Sequence, residues 1–92
     1  MFEMKRIYSY GKIRSDPHNV TPEELIALLT EYGFVYRRAT GDHFMYKMPG
    51  YRTFPVPINQ KPLYVKIVKN ALIMIDEIRE QQPEKTNLEA RK

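Results

Sequence analysis

The sequence predicts an α+β domain of order α-β-β-β-α, with both helices on one face of a three-stranded antiparallel sheet. Two segments carry apolar residues at helical spacing, and the stretch between them is rich in aromatic and β-branched residues broken by turn dipeptides. The chain of 92 residues suffices for one core and one domain. Each helical segment has a single apolar stripe, so both must bury it, and a sheet that is polar on its other side offers the surface to do so.

The first helix opens at Thr21-Pro22-Glu23-Glu24, where Thr21 caps, Pro22 takes the first helical position and Glu24 completes a capping box. Val20 and Leu25 stand where a hydrophobic staple would sit. Leu25, Ile26, Leu28, Leu29 and Tyr32 form the stripe and Gly33 ends it, which predicts a helix from Pro22 to Tyr32. Phe34 to Ala39 then reads as a strand, Thr40-Gly41-Asp42 as a turn and His43 to Met48 as the returning strand. After the Pro49-Gly50 turn, Tyr51 to Val56 supplies a third strand, which Pro55 and Pro57 mark as a sheet edge or an early end.

From Leu63 the helical period returns, with Tyr64, Val68, Ala71, Leu72, Ile75 and Ile78 on one side and Pro62 placed to open the helix. The domain is therefore expected over residues 20–81. Residues 1–19 read as an N-terminal arm, with Ile7-Tyr8-Ser9-Tyr10 as a short strand and Asp16-Pro17-His18-Asn19 as a turn. Residues 82–92 read as a polar, disordered tail.

The absence of cysteine excludes disulfides, thiolate nucleophiles and Cys-type zinc sites, and points to the cytoplasm. The N-terminal residues lead into alternating polar and apolar positions, so neither a signal peptide nor a membrane span is expected. The formal net charge is +4, and its distribution is uneven. Between Phe34 and Lys69 seven bases, Arg37, Arg38, Lys47, Arg52, Lys61, Lys66 and Lys69, face Asp42 as the one acid. That concentration is the footprint of a polyanion partner such as RNA, the alternative being a solvated basic face with no partner.

Alternation on the second strand puts Phe44, Tyr46 and Met48 on one face and His43, Met45 and Lys47 on the other. If the aromatic set meets the helices, His43 and Lys47 point to solvent. No metal or cofactor is expected: the two histidines are separated by a helix and a strand, and there is no phosphate loop, nucleophile elbow or paired-carboxylate spacing. His18, in a turn, reads as an ordinary exposed histidine. An imidazole at the position of His43 can take a proton from a ribose 2′-hydroxyl or give one to a leaving oxygen, a step worth roughly 100- to 10,000-fold. On its residues alone, however, a single strand histidine among bases is more often a binding or structural residue than a catalyst.

A wider pattern surrounds that histidine. Asn19-Val20, the helix Glu24-Leu25-Ile26-Ala27-Leu28-Leu29, Tyr32-Gly33-Phe34 and the run Arg38-Ala39-Thr40-Gly41-Asp42-His43-Phe44-Met45-Tyr46, followed by Val56-Pro57 and Lys61-Pro62, resemble the HicA family of toxins from prokaryotic toxin–antitoxin pairs. The likeness runs from Arg14 to Ile78. It implies a double-stranded-RNA-binding-domain-like fold, metal-independent and sequence-relaxed cleavage of mRNA, and neutralisation by a HicB-type antitoxin that covers the active site.

The family's catalytic histidine follows Gly-Ser, and that position is occupied here by His43 after Gly41-Asp42. Asp42 departs from the usual serine, and a carboxylate there either orients or charges the imidazole, or repels the scissile phosphate. Two functions follow from the resemblance and the charge pattern. One is an endoribonuclease with His43 as general acid or base and Arg38, Lys47 and Lys61 among the phosphate contacts, with Arg37, Arg52 and Lys66 extending the basic face. The other is a non-catalytic RNA-binding or antitoxin-binding module of the same fold.

Overall fold

The computed structural model describes residues 10–81. They form α1 (10–15), α2 (Pro22–Glu31), β1 (Val35–Thr40), β2 (His43–Lys47), β3 (Phe54–Pro57) and α3 (Val65–Gln81). The strands make one antiparallel sheet in the order β1-β2-β3. Buried residues of all three helices join Tyr46, Phe54 and Val56 of the sheet in a single apolar core. The helical layer thus covers one face of the sheet and leaves the other open, the α+β arrangement that the sequence predicts.

α2 starts with a complete capping box: Glu24 N–H donates to Thr21 Oγ1 (3.2 Å), and Thr21 N–H donates to Glu24 Oε1 (3.0 Å). Val20 and Leu25, the staple pair, are both buried. The helix ends at Gly33, whose φ of 104° lies where only glycine is at ease. A Cβ on Gly33 would also stand 3.2 Å from Met48 Sδ, so the missing side chain lets the end of β2 close on the helix terminus. Phe34 N–H returns to Leu29 O at 3.0 Å, which aims the chain into β1.

Several boundaries shift by one residue from the sequence reading, and three differences are larger. β3 begins at Phe54 rather than Tyr51, because Tyr51 N–H closes the turn onto Met48 O (3.0 Å) and Arg52 and Thr53 complete the connection. α3 begins at Val65 rather than Leu63. Leu63 is instead held by its N–H to Val20 O (2.8 Å) with its side chain in the core. Tyr64 consequently leaves the helical period and stands 67% exposed, whereas Val68, Ala71, Leu72, Met74, Ile75 and Ile78 are buried as the stripe requires.

The third difference is α1. Tyr10, read as the end of a strand, is helical, while Ile7 to Ser9 and the tail 82–92 lie outside the described residues. A six-residue helix makes less than two turns, too few for a period to be seen, yet Ile13 is 1% exposed. Tyr10 donates its hydroxyl to Asp76 Oδ1 (2.6 Å) and Arg14 bonds Asp76 Oδ2 (3.1 Å), which ties α1 to α3. Arg79 lies over the Tyr10 ring at 4.1 Å and donates to Tyr32 Oη at 2.8 Å. Burial and the bond to Asp76 hold the Tyr10 hydroxyl above the usual tyrosine pKa. On the other side Lys12 Nζ meets Glu24 Oε2 at 2.6 Å.

Because Ile13 is enclosed by the core, Ile13→Ala should lower the unfolding free energy by about 2–5 kcal/mol in urea denaturation. A loss under about 0.5 kcal/mol, the size of an ordinary surface substitution, would show that α1 lies on the domain without contributing to it.

The Glu24 carboxyl is held below the usual glutamate pKa, first by the hydrogen bond from Lys12 and next by the Thr21 N–H. A carboxylate with a depressed folded-state pKa contributes stability that is full above the unfolded value and is lost as pH falls through the folded one. The gap in urea midpoint between wild type and Glu24→Gln should therefore stay constant from neutral pH to about pH 5 and shrink below about pH 4.5. A gap independent of pH down to about pH 2 would refute this account of Glu24.

Candidate functional site on the open sheet face

The open face is set by the β1–β2 hairpin. Gly41 has φ 58° while Asp42 does not have positive φ. Glycine at the first of two central positions is the sign pattern of a type II′ turn, whose twist matches that of the strands it joins. The turn closes the ladder at Thr40 opposite His43, followed by Ala39 opposite Phe44 and Arg38 opposite Met45. The next pairs are Tyr36 opposite Tyr46 and Val35 opposite Lys47, so Arg37 is an unpaired extra residue.

Paired residues share a face. Tyr36, Ala39, Phe44 and Tyr46 therefore lie on the helix side, where Tyr36 packs edge-on against Phe44 (5.4 Å) and Tyr46 (5.8 Å). Arg38, Thr40, His43, Met45 and Lys47 lie on the open side. Uniform alternation from Tyr36 would have carried Arg38 to the helix side; the bulge at Arg37 turns it toward His43 instead. β1 is exposed along its whole length.

β3 borders the other flank of His43. Pro57 is opposite His43 and Pro55 opposite Met45, and neither has an N–H to give. Ile58 N–H bonds Asp42 O at 2.9 Å, so the donation toward β2 at this end comes from the residue after Pro57. Pro57 is buried, and in the register His43 lies between Pro57 of β3 and Thr40 of β1. His43 and Asp42 are exposed, and neither side chain has a hydrogen-bond partner among the described residues.

The other candidates divide. Arg37 and Arg38 are exposed on the same hairpin as His43, and Arg52 is exposed in the β2–β3 connection. Lys47 is half-buried and donates from Nζ to Tyr51 O, which makes it a tie across that connection. Lys61 lies 3.5 Å from the Glu23 carboxylate. Lys66 is exposed on α3, in the helical layer. The run of bases read along the chain is thus two groups in space, and the group around His43 is Arg37, Arg38 and the turn. Thr40, read from the sequence as the first residue of a three-residue turn, is instead the last residue of β1 and pairs with His43, because the turn is the two residues Gly41-Asp42.

Among the described residues no three His, Asp or Glu side chains gather as metal ligands, and no helix is long and apolar enough to cross a membrane. His18 is exposed in a turn closed by Asn19 N–H on Asp16 O (3.2 Å). The open face joins a guanidinium, a hydroxyl and an imidazole, groups able to hold a phosphate and exchange a proton with it.

Fold and face together define a small α+β domain with an open sheet that carries a single histidine among bases. The sequence pattern described as HicA toxin of bacterial toxin-antitoxin matches residues 22–76, from the first turn of α2 to late α3 and including His43. The chain belongs to the HicA toxin family. Membership implies a toxin of a toxin–antitoxin system, and hence an antitoxin partner. Comparison with curated proteins and with solved structures gives no match.

Proposed function

We propose that this protein is a metal-independent endoribonuclease that cleaves mRNA through His43 and is neutralised by a HicB-type antitoxin. The observation that carries this reading is the exposed imidazole of His43 on the open face, at the family's catalytic position and beside Arg38. In the reaction the ribose 2′-oxygen bonds to the adjacent phosphorus and the P–O5′ bond breaks. One proton leaves the 2′-hydroxyl and one reaches the 5′-oxygen; His43 carries one of these transfers as general base or general acid, and water the other. Arg38 and Arg37 hold the phosphate and offset its developing charge, with Arg52 as an outer contact along the RNA.

Asp42 favours a second reading, a binding module of the same fold that holds RNA or an antitoxin without cutting. Purified protein incubated with labelled RNA in chelator separates the two. His43→Ala should remove cleavage, a loss of about 100- to 10,000-fold, and growth arrest, while leaving the fold intact because the side chain is exposed; His18→Ala should leave both unchanged. Asp42→Ser restores the family's pattern: higher cleavage would mark Asp42 as inhibitory, and lower cleavage would mark it as orienting His43. No cleavage by either form on several RNAs, with folding confirmed, leaves the binding module.

Binding to unrelated RNA sequences should weaken with salt, the logarithm of affinity falling by about 0.7 per phosphate contact for each logarithmic unit of salt. The double change Arg37→Ala with Arg38→Ala should flatten that slope by about one to two contacts and weaken every sequence alike. Affinity that ignores salt would assign the basic hairpin to a protein partner alone.

A further inference from the structure

Thr40 is the direct cross-strand neighbour of His43, and the chemistry above makes no use of it. The two close the hairpin as a pair, so their side chains share the open face with Cβ atoms about 5 Å apart. Thr40 is exposed and its hydroxyl has no partner among the described residues. A β-branched side chain holds few χ1 rotamers, which makes this hydroxyl a stiff donor. The turn beside it is open, since a Cβ on Gly41 would meet nothing within 4 Å. Arg38, two residues back on the same strand and the same face, brings a guanidinium to that face from a backbone position about 7 Å away.

We propose that Thr40 is a substrate-contact residue of the His43 site, its hydroxyl donating a hydrogen bond to a non-bridging oxygen of the phosphodiester that His43 faces. The proposal rests on the reading of this face as an RNA site. The two β1 residues divide the work by reach. Arg38 has a long side chain and a full charge, so it attracts any phosphate that comes near the hairpin. Thr40 is short and neutral, so it acts only on the phosphate lodged between itself and the imidazole, and holds that group in line for proton transfer.

The test compares Thr40→Val, which keeps shape and strand propensity and removes the hydroxyl, with Thr40→Ser, which keeps the hydroxyl. Thr40→Val should lower kcat about 10- to 100-fold, as the loss of a hydrogen bond to a charged group does, with KM changed less than threefold; Thr40→Ser should stay within about threefold of wild type in both. A second arm uses a 2′-deoxy oligonucleotide that cannot be cut and follows the His43 ring resonances by NMR. Wild type and Thr40→Ser should shift alike, and Thr40→Val should shift less. Equal shifts for all three proteins, or a Thr40→Val kcat equal to that of wild type, would overturn the proposal. A wild type that shifts on the oligonucleotide while cleaving no RNA would sink the nuclease reading alone, leaving Thr40 to be judged by the shifts. A wild type that neither cleaves nor shifts would overturn both.

Discussion

Helices cover only one side of this sheet, so the β1–β2 hairpin must turn its aromatic residues to that side, and a slip of one residue in its register would exchange its two faces. The register is pinned from both ends. Phe34, buried just before β1, and Tyr36 beyond it point to the helix side, and at the far end the Gly41-Asp42 turn demands that Thr40 pair with His43 on the open side. Uniform alternation cannot satisfy both, because the even-numbered residues from Phe34 onward would all face the helices. The chain takes up the mismatch as a bulge at Arg37. The same device that keeps Tyr36 against Phe44 and Tyr46 therefore delivers Arg38 and Thr40 to His43, and the composition of the site follows from a packing constraint.

An open three-stranded sheet has two edges, each a template for another strand, and this one blunts both. β3 turns Pro55 and Pro57 outward at positions where no N–H is available, and β1 carries the bulge with two arginines beside it. These features leave the open face accessible without making the edge cohesive. They also place half of the site on the most exposed strand of the molecule, whose side chains the core does not hold. His43, Arg38 and Thr40 can be exchanged with little cost to the fold, whereas Ile13, Leu25 or Ile75, all in the core, cannot.

The parts legible in the sequence were those decided locally. The capping box and staple at Thr21 to Leu25, the stripe of α3 from Val68 to Ile78 and the alternation of β2 depend on neighbours within one or two turns, and these appear where the residues place them. The parts that were not legible depend on contacts far along the chain. α1 is too short to show a period and gains its place from Ile13 in the core and from Asp76, which is 66 residues from Tyr10. Tyr64 falls out of the helical stripe because Leu63 is held by Val20. The face of Arg38 follows from a bulge that only the pairing reveals. The count of bases was correct, but Lys61 beside Glu23 and Lys66 on α3 belong to the helical layer.

The field at the hairpin bears on what Asp42 can do under the nuclease reading. Between Val35 and Lys47 stand three bases and the single acid Asp42, so an approaching phosphate still meets a net positive hairpin. Asp42 is in water at the turn, and over distances beyond about 8 Å its charge is screened at physiological salt. Its reach is therefore limited to the neighbouring imidazole and to the phosphate in contact with it. Attraction of RNA, a sum over many phosphates and all the bases, is little changed by one such charge. Under the nuclease reading, Asp42 therefore bears on the phosphate seated at His43, while attraction of RNA is left to the arginines.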